Sequence, residues 1–240
     1  MNPKKLILFL FLLCLFENCF SQQTKKTIYL IPGQGSDYRI YKYFKFQEYD
    51  TVHIHYIIPD KNETMKSYAH QLAKQIDTSG TYSIIGVSLG GMIAVEMSEF
   101  LHPEKVIIIS SAENRNELPF RYRFMKTIPL NKMFGGNFLR SVAPLVQIIV
   151  EPDSKKERKT CKSMLQNKNS IFMKRSVNMI INWNRTDNNT KIIHIHGNKD
   201  HTIPLKNVKN VNYVVKNGSH MMTLTKGKLL QNIIVSYLKY

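Results

Sequence analysis

The chain has 240 residues, 43% hydrophobic and 21% charged, enough for one globular domain with a sizeable core and unlike a disordered chain. Its formal net charge is +17, from 34 Lys and Arg against 17 Asp and Glu. The basic residues are spread along the chain, densest in KKERKTCK (Lys155–Lys162). They lack aromatic interleaving and any nucleic-acid module, so no nucleic-acid partner is expected and weak attraction to anionic surfaces is what the charge leaves.

The first stretch, MNPKKLILFLFLLCLFENCFSQQ, has Lys4 and Lys5, an apolar run from Leu6 to Phe16, and the small residue Ser21. That layout predicts a secretory signal peptide over residues 1–21, cleaved near Ser21, with residues 22–240 as the exported folded domain. As a helix the run is about 16 Å long, too short for a hydrocarbon core of about 30 Å. Leu12-Leu13 and Glu17-Asn18 stand before Cys14 and Cys19, where a lipid-modified cysteine needs small residues, so no lipid anchor is expected. Loss of the leader leaves Cys161 alone, and no internal disulfide is expected.

Beyond the leader, β-branched runs alternate with helical patterns. TIYLI (Thr27–Ile31) and TVHIHYII (Thr51–Ile58) predict strands. TMKSYAHQLAKQI predicts a helix with Met65, Tyr68, Ala69, Leu72 and Ile76 on one face. YSIIG is a third strand, LGGMIAVEMSEFL a helix with Leu89, Met92, Ile93, Met97 and Phe100 as its stripe, and KVIIIS (Lys105–Ser110) a fourth strand. Residues 113–189 break the rhythm and read as a helical cap, with prolines at 119, 129, 144 and 152 and a Gly135-Gly136 turn. KIIHIHG and VNYVV then predict two more strands, and KLLQNIIVSYL a closing helix. This order predicts an α/β fold: a mostly parallel, doubly wound sheet covered on both faces, with reactive groups at the carboxyl ends of its strands.

Gly86-Val87-Ser88-Leu89-Gly90 is a G-x-S-x-G pattern between a strand and a helix. A turn sharp enough to lift a serine clear of the sheet brings the two chain segments together, and glycine at both flanks removes the Cβ atoms that would collide. The helix start also directs unpaired N–H groups and a positive dipole end at the hydroxyl. A serine hydroxyl needs a base held by an acid. His53 with His55, and His194 with His196, alternate within strands, so at most one of each pair is expected to face inward. His70 lies on a helix and His102 at a helix end. His220, in a loop after the last strand, is the candidate base. Asp200, three residues past a strand, is the candidate acid, with Glu113 in reserve. For the oxyanion, Leu89 offers one backbone N–H, and Gln34 in IPGQGSD the second.

IPGQGSD, GVSLGG, HGNKDHTIP and GSHMM, in the order Ser, Asp, His, resemble the α/β-hydrolase superfamily over nearly all of residues 22–240, in its serine-nucleophile esterase and lipase-like branch. Pro32-Gly33 stands where members commonly carry His-Gly. The resemblance implies this fold with a variable cap, no cofactor, and hydrolysis of an ester, thioester or amide through an acyl-enzyme on Ser88. A small ester with an apolar acyl or alcohol group is the expected substrate, by a carboxylesterase-type reaction. Thioesterase, lipase and amidase activity, or a non-catalytic binding protein of the same fold, are the alternatives. Leu118, Phe120, Phe124, Met125, Met133, Phe134, Phe138, Leu139, Phe172, Met173, Met179 and Trp183 make the cap apolar, most of them as its own core. A metal-hydrolase reading of His194, His196, Asp200 and His201 fails on spacing, since three residues separate His196 from Asp200 where that motif allows one.

Overall fold

The computed structural model describes residues 25–122 and 157–239. The leader and residues 123–156 of the expected cap, with Phe124, Met125, Met133, Phe134, Phe138 and Leu139, lie outside these.

Six strands form one sheet in which every pairing is parallel: β1 (Lys26–Ile31), β2 (Tyr49–His53), β3 (Tyr82–Val87), β4 (Lys105–Ile109), β5 (Ile193–Gly197) and β6 (Tyr213–Val215), in the order β2-β1-β3-β4-β5-β6. Strand alternation divides the core. Ile31, Ile84 and Ile108 face one apolar cluster, shared with α1 (Met65–Ala73) and α2 (Leu89–Met97). Leu30, Ile85, Ile107 and Ile195 face the other, under α6 (Gly227–Lys239). A single-turn helix, α5 (Met222–Thr225), precedes α6.

Local chemistry sets the boundaries. The Thr64 hydroxyl accepts from Ser67 N at 3.0 Å and starts α1. β2 stops five residues short of the expected Ile58. Ile54 N still reaches Leu30 O at 3.0 Å, but the Gln75 amide then takes both His55 N and His55 O, each at 2.9 Å, replacing the ladder by a side chain. Ile57 and Ile58 are exposed. α2 departs from its expected stripe in another way, for all nine of its residues are buried. Trp183 Nε1 donates to Glu96 Oε1 at 2.7 Å, so the far side of α2 is also packed, and its one carboxylate has a partner.

The described part of 113–189 comprises a 3-10 turn (Arg115–Glu117), α3 (Arg158–Gln166) and α4 (Ser170–Asn182). Both helices bear on the loops at the carboxyl rim of the sheet. Arg39 reaches Ser163 at 2.9 Å, and Arg175 reaches Pro59 O at 2.7 Å. Leu118, Phe172, Met173, Met179 and Trp183 belong to the first apolar cluster, whereas Phe120 is exposed.

Candidate active site

Between Tyr82 and Ser98, Ser88 is the one residue that is not buried. Its backbone takes φ 53° and ψ −119°, outside the regions open to an L-residue without strain. The surroundings hold it there. A Cβ at Gly86 would strike the Gly90 carbonyl, and one at Gly90 the carbonyl oxygens of Ile31 and Pro32. Ser88 N donates to Ile109 O at 3.0 Å, and the Ser111 hydroxyl donates to Ser88 O at 2.7 Å. Nothing in the sequence pairs Ser111 with the elbow.

Asp200 and His220 come to the serine from β5 and the loop after β6. The two loops touch where Lys199 N donates to Gly218 O at 2.9 Å. Asp200 caps its own turn, with Oδ1 accepting from Thr202 N at 2.9 Å and Ile203 N at 2.8 Å. Its Oδ2 lies 2.9 Å from His220 Nδ1, and His220 Nε2 lies 2.9 Å from Ser88 Oγ. A carboxylate can only accept, so His220 carries its proton on Nδ1 and offers a bare Nε2 to the serine hydroxyl. Burial pushes the Asp200 carboxyl up. The charge and hydrogen bond of His220, the nearby His196 and the Ile203 N–H outweigh that and leave it below the usual carboxylate range.

The loop after β1 passes beside Ser88, close enough that a Cβ on Gly33 would lie 3.4 Å from Ser88 Cβ. Ser36 N and Oγ both bond Gly33 O at 3.1 Å, and the Gln34 side chain is tied to Ser176 Oγ at 2.8 Å and Met173 O at 3.3 Å. Leu89 is the first residue of α2, so its N–H has no carbonyl within the helix to bond. Among the described residues, neither the Leu89 N–H nor the Gln34 N–H has an acceptor.

Glu113, the reserve acid, stands elsewhere: its Oε1 is 3.7 Å from His194 Nδ1, and its Oε2 accepts from Asn188 at 3.0 Å. The expectation that one of His194 and His196 faces out is incorrect. Both are fully buried, because residues two apart on a strand point to the same face. His53 is half-buried and His55 exposed, and His70 stacks on Phe100.

The parallel sheet in this order, covered by helices on both faces and turning sharply from β3 into α2 at Ser88, has the α/β-hydrolase fold. Solved structures agree. The chain is similar to a thermophilic esterase from Thermogutta terrifontis, with 12% identity over 89% of each chain and TM-score 0.65. It is similar to the enol-lactonase from Burkholderia xenovorans LB400, with 12% identity over 90% of this chain and 92% of that one and TM-score 0.69. A third likeness is to the esterase EaEST from Exiguobacterium antarcticum, with 13% identity over 90% and 92% and TM-score 0.62. Residues 39–116 match the uncharacterised protein family UPF0227. No curated protein sequence matches the chain.

Proposed function

We propose that the chain is an exported serine hydrolase that cleaves carboxylic esters through an acyl-enzyme on Ser88. The observation that carries this reading is the unbroken contact from Asp200 through His220 to the Ser88 hydroxyl, two hydrogen bonds of 2.9 Å. In this reading Ser88 Oγ attacks the ester carbonyl while His220 Nε2 takes its proton. Asp200 holds the ring in the tautomer that leaves Nε2 bare and offsets the charge of the imidazolium. The N–H groups of Leu89 and Gln34 receive the oxyanion. Collapse expels the alcohol, which takes the proton from His220. Water then adds to the acyl group with His220 again as base, which frees Ser88.

Aromatic surface on the flank of the Gln34 loop supports an apolar acyl or alcohol group in the substrate. There Tyr56 stacks on Phe172 with centroids 5.0 Å apart, and the Tyr56 hydroxyl donates to Pro32 O. Esterases and a lactonase among proteins of similar fold support hydrolysis of an ester bond. The leader-like residues 1–21 support export.

Ser88→Ala is expected to lower kcat on nitrophenyl acetate by about 10⁶-fold, and a fluorophosphonate probe is expected to label Ser88 alone. Labelling that persists in Ser88→Ala would remove the reading. Rates on matched nitrophenyl and thiol esters of increasing chain length will separate carboxylesterase from thioesterase and lipase activity. The mass of the secreted chain will report cleavage near Ser21.

A further inference from the structure

Behind Asp200 lies a buried polar chain that the mechanism above does not use. His194 Nε2 is 3.1 Å from His196 Nδ1, and His196 Nε2 is 2.8 Å from Ile203 O and 3.4 Å from Asp200 Oδ2. Both rings are fully buried, so every polar atom on them is costly unless matched. The tautomers follow from the partners. A carbonyl only accepts, so His196 donates from Nε2. A neutral His196 then has a bare Nδ1, which accepts from His194 Nε2. That leaves His194 Nδ1 without a hydrogen-bond partner, facing Glu113 Oε1 at 3.7 Å.

We infer that His196, held by His194, is a positioning residue for Asp200: its Nε2, bonded to Ile203 O, lies 3.4 Å from the carboxylate oxygen that His220 bonds, and the ring so moderates how strongly that oxygen holds the His220 imidazolium. This rests on the Ser88–His220–Asp200 reading.

The geometry has two consequences. His196 ties the Asp200 turn to the end of β5, because its Nε2–H is bonded to Ile203, the last residue of the turn that Oδ1 caps. It also places an N–H dipole beside Oδ2 without adding charge. Burial lowers its pKa to about 4 against the opposing pull of Asp200, so it stays neutral throughout the range in which a catalytic histidine titrates. Among the described residues, other ionisable groups around this polar chain are few. Glu117 accepts from Glu113 N and Lys209 N behind His194. Tyr122 is half-buried near Asp200, and Arg121 lies over its ring and donates to Thr202 O. None of these is bonded to Oδ2.

Removing the His196 ring takes its N–H dipole away from the neighbourhood of Oδ2, which then holds the His220 imidazolium more tightly. The acid limb of kcat/KM therefore moves to higher pH. In the full chain, His196→Leu is expected to lower kcat on nitrophenyl acetate about ten-fold, leave KM within about two-fold, and raise the acid limb by about half a pH unit. His196→Gln keeps an N–H near the same place and is expected to restore most of both. A folded His196→Leu whose limb does not move overturns the inference, even if kcat falls, since a purely structural role would lower rate or stability alone. A second measurement needs no variant: ¹⁵N-histidine NMR of the unmodified chain is expected to show His196 protonated at Nε2 and bare at Nδ1. The opposite tautomer overturns the inference however the variants behave. Absence of Ser88-dependent hydrolysis in the unmodified chain would instead strike the esterase reading, and the tautomer result would stand apart from it.

Discussion

The ends of β3 and β5 each deliver one group to the same site by opposite means. At β3 the surroundings are apolar and the device is steric. Ser88 is forced into a strained backbone and out of a buried segment because Gly86, Gly90 and the carbonyls of Ile31 and Pro32 leave no other course. At β5 the device is polar. Asp200 is buried and held by two backbone N–H groups and His220, with the ring of His196 3.4 Å from its Oδ2. A steric device fails abruptly when one atom is added. A hydrogen-bonded one loses function by degrees and responds to pH.

That contrast can be broken at several points. Among changes that leave Ser88 in place, Asp200→Asn should have the largest effect, about 10⁴-fold in kcat, with fold and fluorophosphonate site intact, if the carboxylate holds the tautomer. A small loss would return the role of acid to another group. Gly90→Ala should act on the fold itself, costing on the order of 4 kcal/mol in denaturant unfolding because the new Cβ meets backbone rather than a movable side chain. A near-neutral result would show that the elbow is not sterically locked.

The polar side predicts a pH signature. His196 is neutral in the fold down to about pH 4, whereas in the unfolded chain it takes a proton near 6.5. Between these values the unfolded chain binds more protons. Stability is therefore whole above about pH 6.5 and falls toward pH 4, by roughly 3 kcal/mol from this residue. The depressed Asp200 carboxyl adds its own loss only lower, as pH drops below the usual carboxylate range. Unfolding curves of His196→Gln should be flatter over the upper window; an unchanged slope would mean the ring is not buried neutral. Smallest of all, Gln75→Ala should cost about 1 kcal/mol by freeing both backbone groups of His55 to water, with no change in rate. A rate change there would link the edge of the sheet to the site.

The two strand ends were also unequally legible in the sequence. The elbow is local: glycines, serine, strand and helix are contiguous, so the steric logic can be read in one line of residues. Asp200 and His220 could be singled out because both follow strands whose carboxyl ends share one rim. What escaped depends on side chains meeting across the fold. Ser111 holds the Ser88 carbonyl from β4, and no spacing announces it. The paired burial of His194 and His196 departs from the expectation that one of them faces out, since period-two alternation assigns them one face. A strand with two histidines on its inward side makes sense only once Glu113, Asn188 and the Asp200 turn surround it. β2 was overextended for a related reason: the apolar letters continue to Ile58, and only the distant Gln75 shows where pairing stops.

The elbow has a further dependence that its compactness in sequence conceals. Gly90 rests on carbonyls at the end of β1, so β3 and α2 cannot take their final form as a self-contained hairpin of strand and helix. The conformation of Ser88 must wait for a much earlier strand to dock beside β3. A trimmed N-terminus that loosens β1 should therefore silence the serine from a distance, without altering a residue near it.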